Sequence, residues 1–224
     1  MMKIIKNLGL IIIIASCLKL ALWQIDRAEQ KILIQNDFSN QAKEKPINIK
    51  RISSMPKRFT NISATGYFKE PYFLLDNIVF NRKAGYHVIS PLSVEGKVLL
   101  VNRGWVENFS RQKFPDIKKI DEIVVLVGYA YYPSKLLELT SENITATKPY
   151  VIQNIDIEQI SKVLNAEVYP YVLVLKKDSR YSYIHNHSHN TRSHLKHYMY
   201  AGQWFLFSLI GVIFIVLLNR RDNG

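Results

Sequence analysis

The sequence predicts an α+β protein in which two terminal transmembrane helices flank a strand-rich extracytoplasmic domain, an antiparallel sheet or partial barrel with one or two helices. Three observations predict it. Dense apolar blocks stand at the two ends of a 224-residue chain of net charge +12. The interior between them carries runs that alternate with the period of a strand. One short interior segment has the cap and apolar stripe of a helix. A chain of this length suits one ordinary domain with enough apolar residues for a core.

The first apolar block runs from Leu8 to Trp23 behind Lys3 and Lys6, interrupted only by Ser16, Lys19 and small residues. A membrane span needs roughly 17 to 25 residues, so Ile25 extends this one to 8–25 while Lys19 snorkels to the interface. A cleavable signal peptide competes for the same block, and Ile14-Ala15-Ser16-Cys17 resembles a lipoprotein processing site. The apolar run continues past Cys17 through Leu18, Leu20, Leu22 and Trp23, which favours a retained helix. The second block, 198–218, contains no charged residue. Basic residues beside the spans, Lys3 and Lys6 before the first and Arg220 and Arg221 after the second, place residues 1–7 and 219–224 in the cytoplasm. The basic interior does not veto this, because long loops translocate largely regardless of charge. No Arg-rich, acidic-poor presequence precedes the first span, so the expected home is a bacterial cell inner membrane, with the central domain periplasmic.

Between the spans, residues 26–57 read as a connector, polar and proline-bearing from Asn36 onward. Residues 58–184 read as the strand-rich domain. Ile62, Ala64, Gly66 and Phe68 alternate with Asn61, Ser63, Thr65 and Tyr67. Further strand runs are Tyr72 to Phe80, Tyr86 to Ile89, Val98 to Val101, Ile123 to Tyr132 and Tyr171 to Leu175. Several are apolar on consecutive positions, which predicts strands covered on both faces by a second layer or a closed barrel. Asp156 followed by Gln159 resembles a capping box, and Ile157, Ile160, Val163 and Leu164 form a stripe ending before Asn165. Lys135 to Leu139 is a candidate for a shorter helix. Residues 185–197 form a His-rich juxtamembrane segment.

Cys17 is the only cysteine and lies in the first span, so the interior has no disulfide, no Cys-x-x-Cys pair and no thiolate metal site. Five of the six histidines fall between His185 and His197. On an extended chain His185, His187 and His189 share one face and form a weak candidate site for copper or zinc, against the plainer reading of a solvated linker. His197 stands at the mouth of the second span, one turn before Tyr200 and two before Trp204, near one helical face. An axial nitrogen beside flat apolar walls is what a haem requires. The plainer alternative is an interfacial aromatic belt with a polar residue at a helix end. Arg103-Gly104-Trp105 reads as a strand entering a turn, where Gly104 permits unusual backbone. Arg103 and Trp105 either offer a cation and an aromatic plate to a partner or, for Trp105, plug the core.

Several segments resemble the Surfeit locus protein 1 family in shared order between two spans. They are Trp23-Gln24-x-x-Arg27, Gly66-Tyr67-Phe68, Gly85-Tyr86-x-Val88-x-x-Pro91-Leu92, Val101-Asn102-Arg103-Gly104-Trp105-Val106 and His197-x-x-Tyr200-Ala201-x-x-Trp204. Glu107 stands where that family often has proline. The resemblance implies a bacterial assembly factor for a haem-copper cytochrome c oxidase that handles haem a for insertion into the catalytic subunit. It implies His197 as the haem contact, to which the helical spacing adds Tyr200 and Trp204, while Arg103, Gly104 and Trp105 are the candidate partner-binding residues. The implied partners are cytochrome c oxidase subunit I and the haem a biosynthesis machinery. The alternative is a haem-independent, membrane-tethered chaperone that holds an oxidase subunit.

Other classes fit less well. No Gly-x-Ser-x-Gly or other nucleophile motif is present and His87 is the only histidine inside the strand-rich region, so the chain is not expected to be an enzyme. No nucleic-acid-binding motif accompanies the positive charge, which more naturally meets anionic lipid headgroups or an acidic partner.

Overall fold

A computed structural model describes residues 2–108, 114–133, 149–185 and 193–221. The chain divides into two compact units, Met1–Phe38 with His189–Gly224, and Ser39–Ser188. Among the described residues there are three α-helices, α1 (Met2–Lys43), α2 (Ile157–Leu164) and α3 (Ser193–Arg221). The expected short helix at 135–139 lies outside the described residues.

The first unit contains α3 and most of α1, each long and apolar enough to cross a bilayer. The two helices run antiparallel. Asn7 Nδ2 near the start of α1 donates to Asn219 Oδ1 near the end of α3 at 3.1 Å, and Ile14 packs on Gly211. The seam is made of small side chains at heptad-like spacing, with Cys17 and Ala21 buried on α1 and Ala201 and Ser208 buried on α3. Small residues let helix backbones approach where no water-driven effect pushes them together. The large apolar side chains point outward instead: Ile11, Ile12, Ile13, Phe205, Leu206 and Leu209 are all exposed. An apolar surface of that extent needs lipid rather than water around it. Two hydroxyls within the apolar stretches are satisfied inside their own helices, Ser16 Oγ donating to Ile12 O at 2.8 Å and Ser208 Oγ to Phe205 O at 2.7 Å.

α1 is longer than the predicted span. It has 42 residues, about 63 Å at 1.5 Å per residue, against a bilayer core of about 30 Å. Residues 26–43, assigned from sequence to the connector, are therefore helical. No proline or glycine interrupts them before Pro46, and Gln30 Nε2 donates to Asp26 Oδ2 at 2.8 Å one turn back. The helix ends where Asn61 Nδ2 reaches the carbonyls of Gln41, Ala42 and Glu44 at 3.0, 3.2 and 2.8 Å.

The second unit is built on eight strands, β1 (Ile47–Asn48), β2 (Asn61–Phe68), β3 (Phe73–Phe80), β4 (Lys83–Val94), β5 (Lys97–Glu107), β6 (Val124–Tyr131), β7 (Tyr150–Ile152) and β8 (Val168–Leu175). Their order is β1-β2-β6-β8-β5-β4-β3-β7, with β2 also paired to β4. That last pairing closes β2, β6, β8, β5 and β4 into a five-stranded barrel, the closed form of the expected partial barrel. Within the ring only β5 and β8 are parallel. Their connection contains β6, β7 and α2, the long crossover that a parallel pair requires. Closure depends on Gly66: a Cβ there would lie 2.1 Å from Ser93 O, so only glycine lets β2 turn onto β4 at Tyr67–Ser93 and Phe68–Leu92.

Consecutive apolar residues follow from two cores sharing the same strands. Leu99, Val101 and Leu173 point into the barrel with Ile62, Leu92 and Leu126. Val98, Leu100 and Val172 point the other way, against Phe73, Ile89, Ile152 and Ile160 of α2. α2 forms as its sequence dictates: Asp156 accepts from Glu158 N and Gln159 N at 2.9 and 3.0 Å, and Asn165 ends it in the left-handed conformation at φ 46°.

Candidate functional site

His197 lies about one turn inside α3, on the face turned to α1. Its Nδ1 is 2.7 Å from Gln24 Oε1 of α1. With Oε1 as acceptor, Nδ1 carries the hydrogen, and a neutral imidazole then keeps its lone pair on Nε2. A second-sphere acceptor of this kind both orients the ring and raises the basicity of the other nitrogen. Gln24 belongs to the Trp23-Gln24-x-x-Arg27 segment, where nothing in the sequence assigns it a role. The missing signal was the pairing of the helices, since only an antiparallel register brings residue 24 to residue 197.

Aromatic side chains stand along both helices within two turns of the pair. Trp204 is half-buried two turns along α3, meeting Phe207 edge-on at 5.8 Å. Tyr200 is half-exposed on the flank. On α1, Trp23 is 46% exposed and Arg27 Cζ lies 5.5 Å from its ring centroid, while Arg27 Nη1 donates to Gln30 Oε1 at 3.0 Å. The Trp23-Gln24-x-x-Arg27 motif is thus a single helical turn presenting an amide, an indole and a cation.

Of the two readings open for Trp105 in the Arg103-Gly104-Trp105 run, the structure shows the core one. Trp105 is 2% exposed and plugs the core, its Nε1 donating to Ile78 O at 3.1 Å and its ring meeting Phe80 at 5.5 Å. Arg103 is 5% exposed. The cause is a strap, residues 181–184, that bonds back across β5: Trp105 N donates to Ile184 O at 2.7 Å, and Ile184 N to Trp105 O at 3.1 Å. Gly104 makes room for the strap, with φ 105° and only 2.8 Å between a would-be Cβ and Ile184 O. That strap has no signature in the sequence, because its residues, Tyr181-Ser182-Tyr183-Ile184, are too few for a periodicity.

His87 and His185 are the two histidines described outside α3. His87 is buried, with Nδ1 3.2 Å from Asn102 Nδ2, and Asn102 Oδ1 accepts from Gly104 N at 2.9 Å; it belongs to the hydrogen-bonded interior. His185 is half-buried, and burial together with nearby Lys177 holds its imidazole below the usual range. His187 and His189 lie outside the described residues. No group of three His, Cys, Asp or Glu side chains that would hold a metal ion occurs among the described residues.

Two apolar, antiparallel helices joined by a glutamine–histidine pair, with a closed mixed barrel inserted between them in sequence, define a helix-anchored barrel protein of the two-pass type. The sequence matches the SURF1 family over residues 11–209, and the chain belongs to that family. That range holds all the motif segments from Trp23 to Trp204. A SURF1-like protein of Rickettsia conorii (strain ATCC VR-613 / Malish 7) is 24% identical over 216 residues, 91% of this chain and 87% of the relative. A SURF1-like protein of Rickettsia felis (strain ATCC VR-1525 / URRWXCal2) is 25% identical over 225 residues, 96% of this chain and 97% of the relative.

Proposed function

We propose that this chain is a membrane-bound assembly factor for haem-copper cytochrome c oxidase, without enzymatic activity of its own, that handles haem a as cargo for insertion into subunit I. The observation that carries the proposal is the Gln24–His197 pair, which presets one imidazole nitrogen as an electron-pair donor beside exposed aromatic rings. Haem brings an iron with axial positions and a flat apolar macrocycle, and a neutral imidazole with aromatic neighbours is the donor set that suits both. In this assignment His197 is the iron contact, Trp204 and Tyr200 are the apolar walls, and Gln24 holds the ring. The proposed setting is a bacterial inner membrane with both termini cytoplasmic and the barrel periplasmic, as the flanking basic residues favour.

The deciding experiment is an absorption spectrum of the full-length protein, purified in detergent from cells that make haem a, beside its His197→Ala variant. The expected result is a haem a band in the first that is lost in the second. An equal band in both removes His197 as the contact. No band in either favours the alternative, a haem-independent chaperone that holds an oxidase subunit.

One feature of the barrel supports that alternative. β8 pairs with β6 from Gly128 to Tyr131, and Lys176 N donates to Val127 O at 3.2 Å, leaving the start of β6, Val124 to Leu126, without ladder partners on that side among the described residues. There Ile123 and Val125 are exposed beside a groove of about 570 Å³ rimmed by Lys176 and Arg180. An apolar strand edge of this kind is where an extended segment of another protein adds to a sheet.

A further inference from the structure

Arg103 carries a charge that is buried with no carboxylate among the described residues to match it. Its Nε donates to Tyr181 O at 3.0 Å, and its Cζ lies 5.3 Å from the Phe68 ring and 4.8 Å from the Tyr183 ring. No Asp or Glu among the described residues pairs with it. Burial pulls its pKa down, and Tyr183 beside it acts in the opposite sense. Aromatic faces and one carbonyl offset part of the cost of desolvating a guanidinium, but a buried cation ordinarily needs an anion.

The room for one is adjacent. Arg103 lines a cavity of about 30 Å³ with Phe68, Ser90 and Ile120, and Lys69, Lys118 and Lys119 stand around it together with Glu70 and Asp121. Lys119 is already paired to Asp121 at 2.7 Å, so Arg103, Lys69 and Lys118 outweigh Glu70. We propose that Arg103 is the floor of an anion site that takes a single carboxylate, the end of an acidic side chain on a protein partner. The planar fork of a guanidinium matches the two oxygens of a carboxylate, so recognition is bidentate. A phosphate dianion fits less well, because the cavity is small and Glu70 at its edge repels a second negative charge. The site does not depend on whether the chain handles haem, and it gives Arg103 a role on a partner that its burial denies to Trp105.

The test uses the full-length protein in detergent with its arginine side chains labelled with nitrogen-15. Acetate, inorganic phosphate and a short peptide with one central aspartate are titrated separately at constant ionic strength against chloride. The expected result is a saturable shift of the Arg103 guanidinium resonances with acetate and with the peptide, the peptide binding more tightly. In Arg103→Lys, which keeps the charge but loses the fork and with it the Arg103 resonance, peptide binding is followed by isothermal titration calorimetry and is expected to weaken at least about tenfold against the unsubstituted protein in the same assay. Should Arg103→Lys not fold, Lys69→Ala with Lys118→Ala serves instead. These exposed-side substitutions are expected to weaken acetate binding about two- to fivefold, most at low salt. Tighter binding of phosphate than of either carboxylate, or acetate binding with no response to the peptide, overturns the assignment to a partner's side chain. The absence of any saturable shift overturns the site itself.

Discussion

A single glutamine decides how His197 can act. If Gln24 Oε1 holds the hydrogen on Nδ1, removing that acceptor leaves the ring orientation unset. Gln24→Leu is expected to weaken haem binding about 10- to 100-fold while a histidine-ligated spectrum returns at high haem. Gln24→Glu, which still accepts, should restore most of the affinity. A haem titration followed by absorption separates these, and an unchanged Gln24→Leu would leave His197 unassisted. Inside the barrel, Tyr171 illustrates a different residue-scale effect. Its hydroxyl is buried without a hydrogen-bond partner among the described residues, and burial pushes its phenol up to about 12 from an ordinary 10. The fold therefore favours the neutral form. Its contribution is whole below pH about 10, the unfolded value, and is lost as pH rises towards 12. Burial raises the nearby Tyr129 in the same direction. Tyr171→Phe is expected to gain about 1 kcal/mol at pH 7, because an unpaired buried hydroxyl disappears, and to lose less stability in alkali. Denaturant unfolding at pH 7 and above pH 10 checks both. Trp105→Ala, by contrast, empties a filled core position and should cost about 3–5 kcal/mol in the same measurement.

At the scale of elements, the end of α1 depends on a residue far along the chain. Asn61 Nδ2 serves three carbonyls of the helix's last turn and the residue after it, so Asn61→Ala should strip that cap at a cost of about 1–2 kcal/mol. Hydrogen exchange would then quicken over the last turn of α1 while α2 stays protected. Uniform acceleration across the barrel would instead mean that Asn61 matters for β2. The same contact explains what the sequence hid. Asn36, Asp37, Ser39 and Asn40 look like a loop by propensity, yet they are helical in a segment whose cap comes from another element. β2, α2 and the paired spans were legible because alternation, capping and apolar length are local patterns. β1 and β7 have two and three residues, too short to show a period, and their pairing is parallel to strands elsewhere in the chain. Closure was legible only as an option: consecutive apolar residues in Val98–Val101 demanded two covered faces, but the β2–β4 contact that shuts the ring rests on the space left by Gly66. At the site, His197, Tyr200 and Trp204 were readable from one helix. Gln24 was not, because a histidine's partner on another helix has no sequence spacing to announce it.

For the whole molecule, the helix pair makes a prediction about sidedness. The Asn7–Asn219 hydrogen bond ties the start of α1 to the end of α3, so in a bilayer both chain ends leave from one face and everything between the helices leaves from the other. Which face is which depends on charge. Lys3, Lys6, Arg220 and Arg221 lie within a few residues of the spans, and short basic flanks stay cytoplasmic far more reliably than a long basic domain does. The single cysteine makes the test clean. With Cys17→Ser as background, Lys45→Cys and Gly224→Cys are introduced separately and intact cells with a permeable outer envelope are treated with a membrane-impermeant maleimide. Lys45, an exposed position just past α1, should react at once, and position 224 only after the inner membrane is broken. The opposite pattern would reverse the orientation and move the barrel to the cytoplasm. Reaction of both before lysis would break the two-pass reading itself, since the antiparallel pair cannot deliver residues 45 and 224 to the same side of a bilayer that both helices cross.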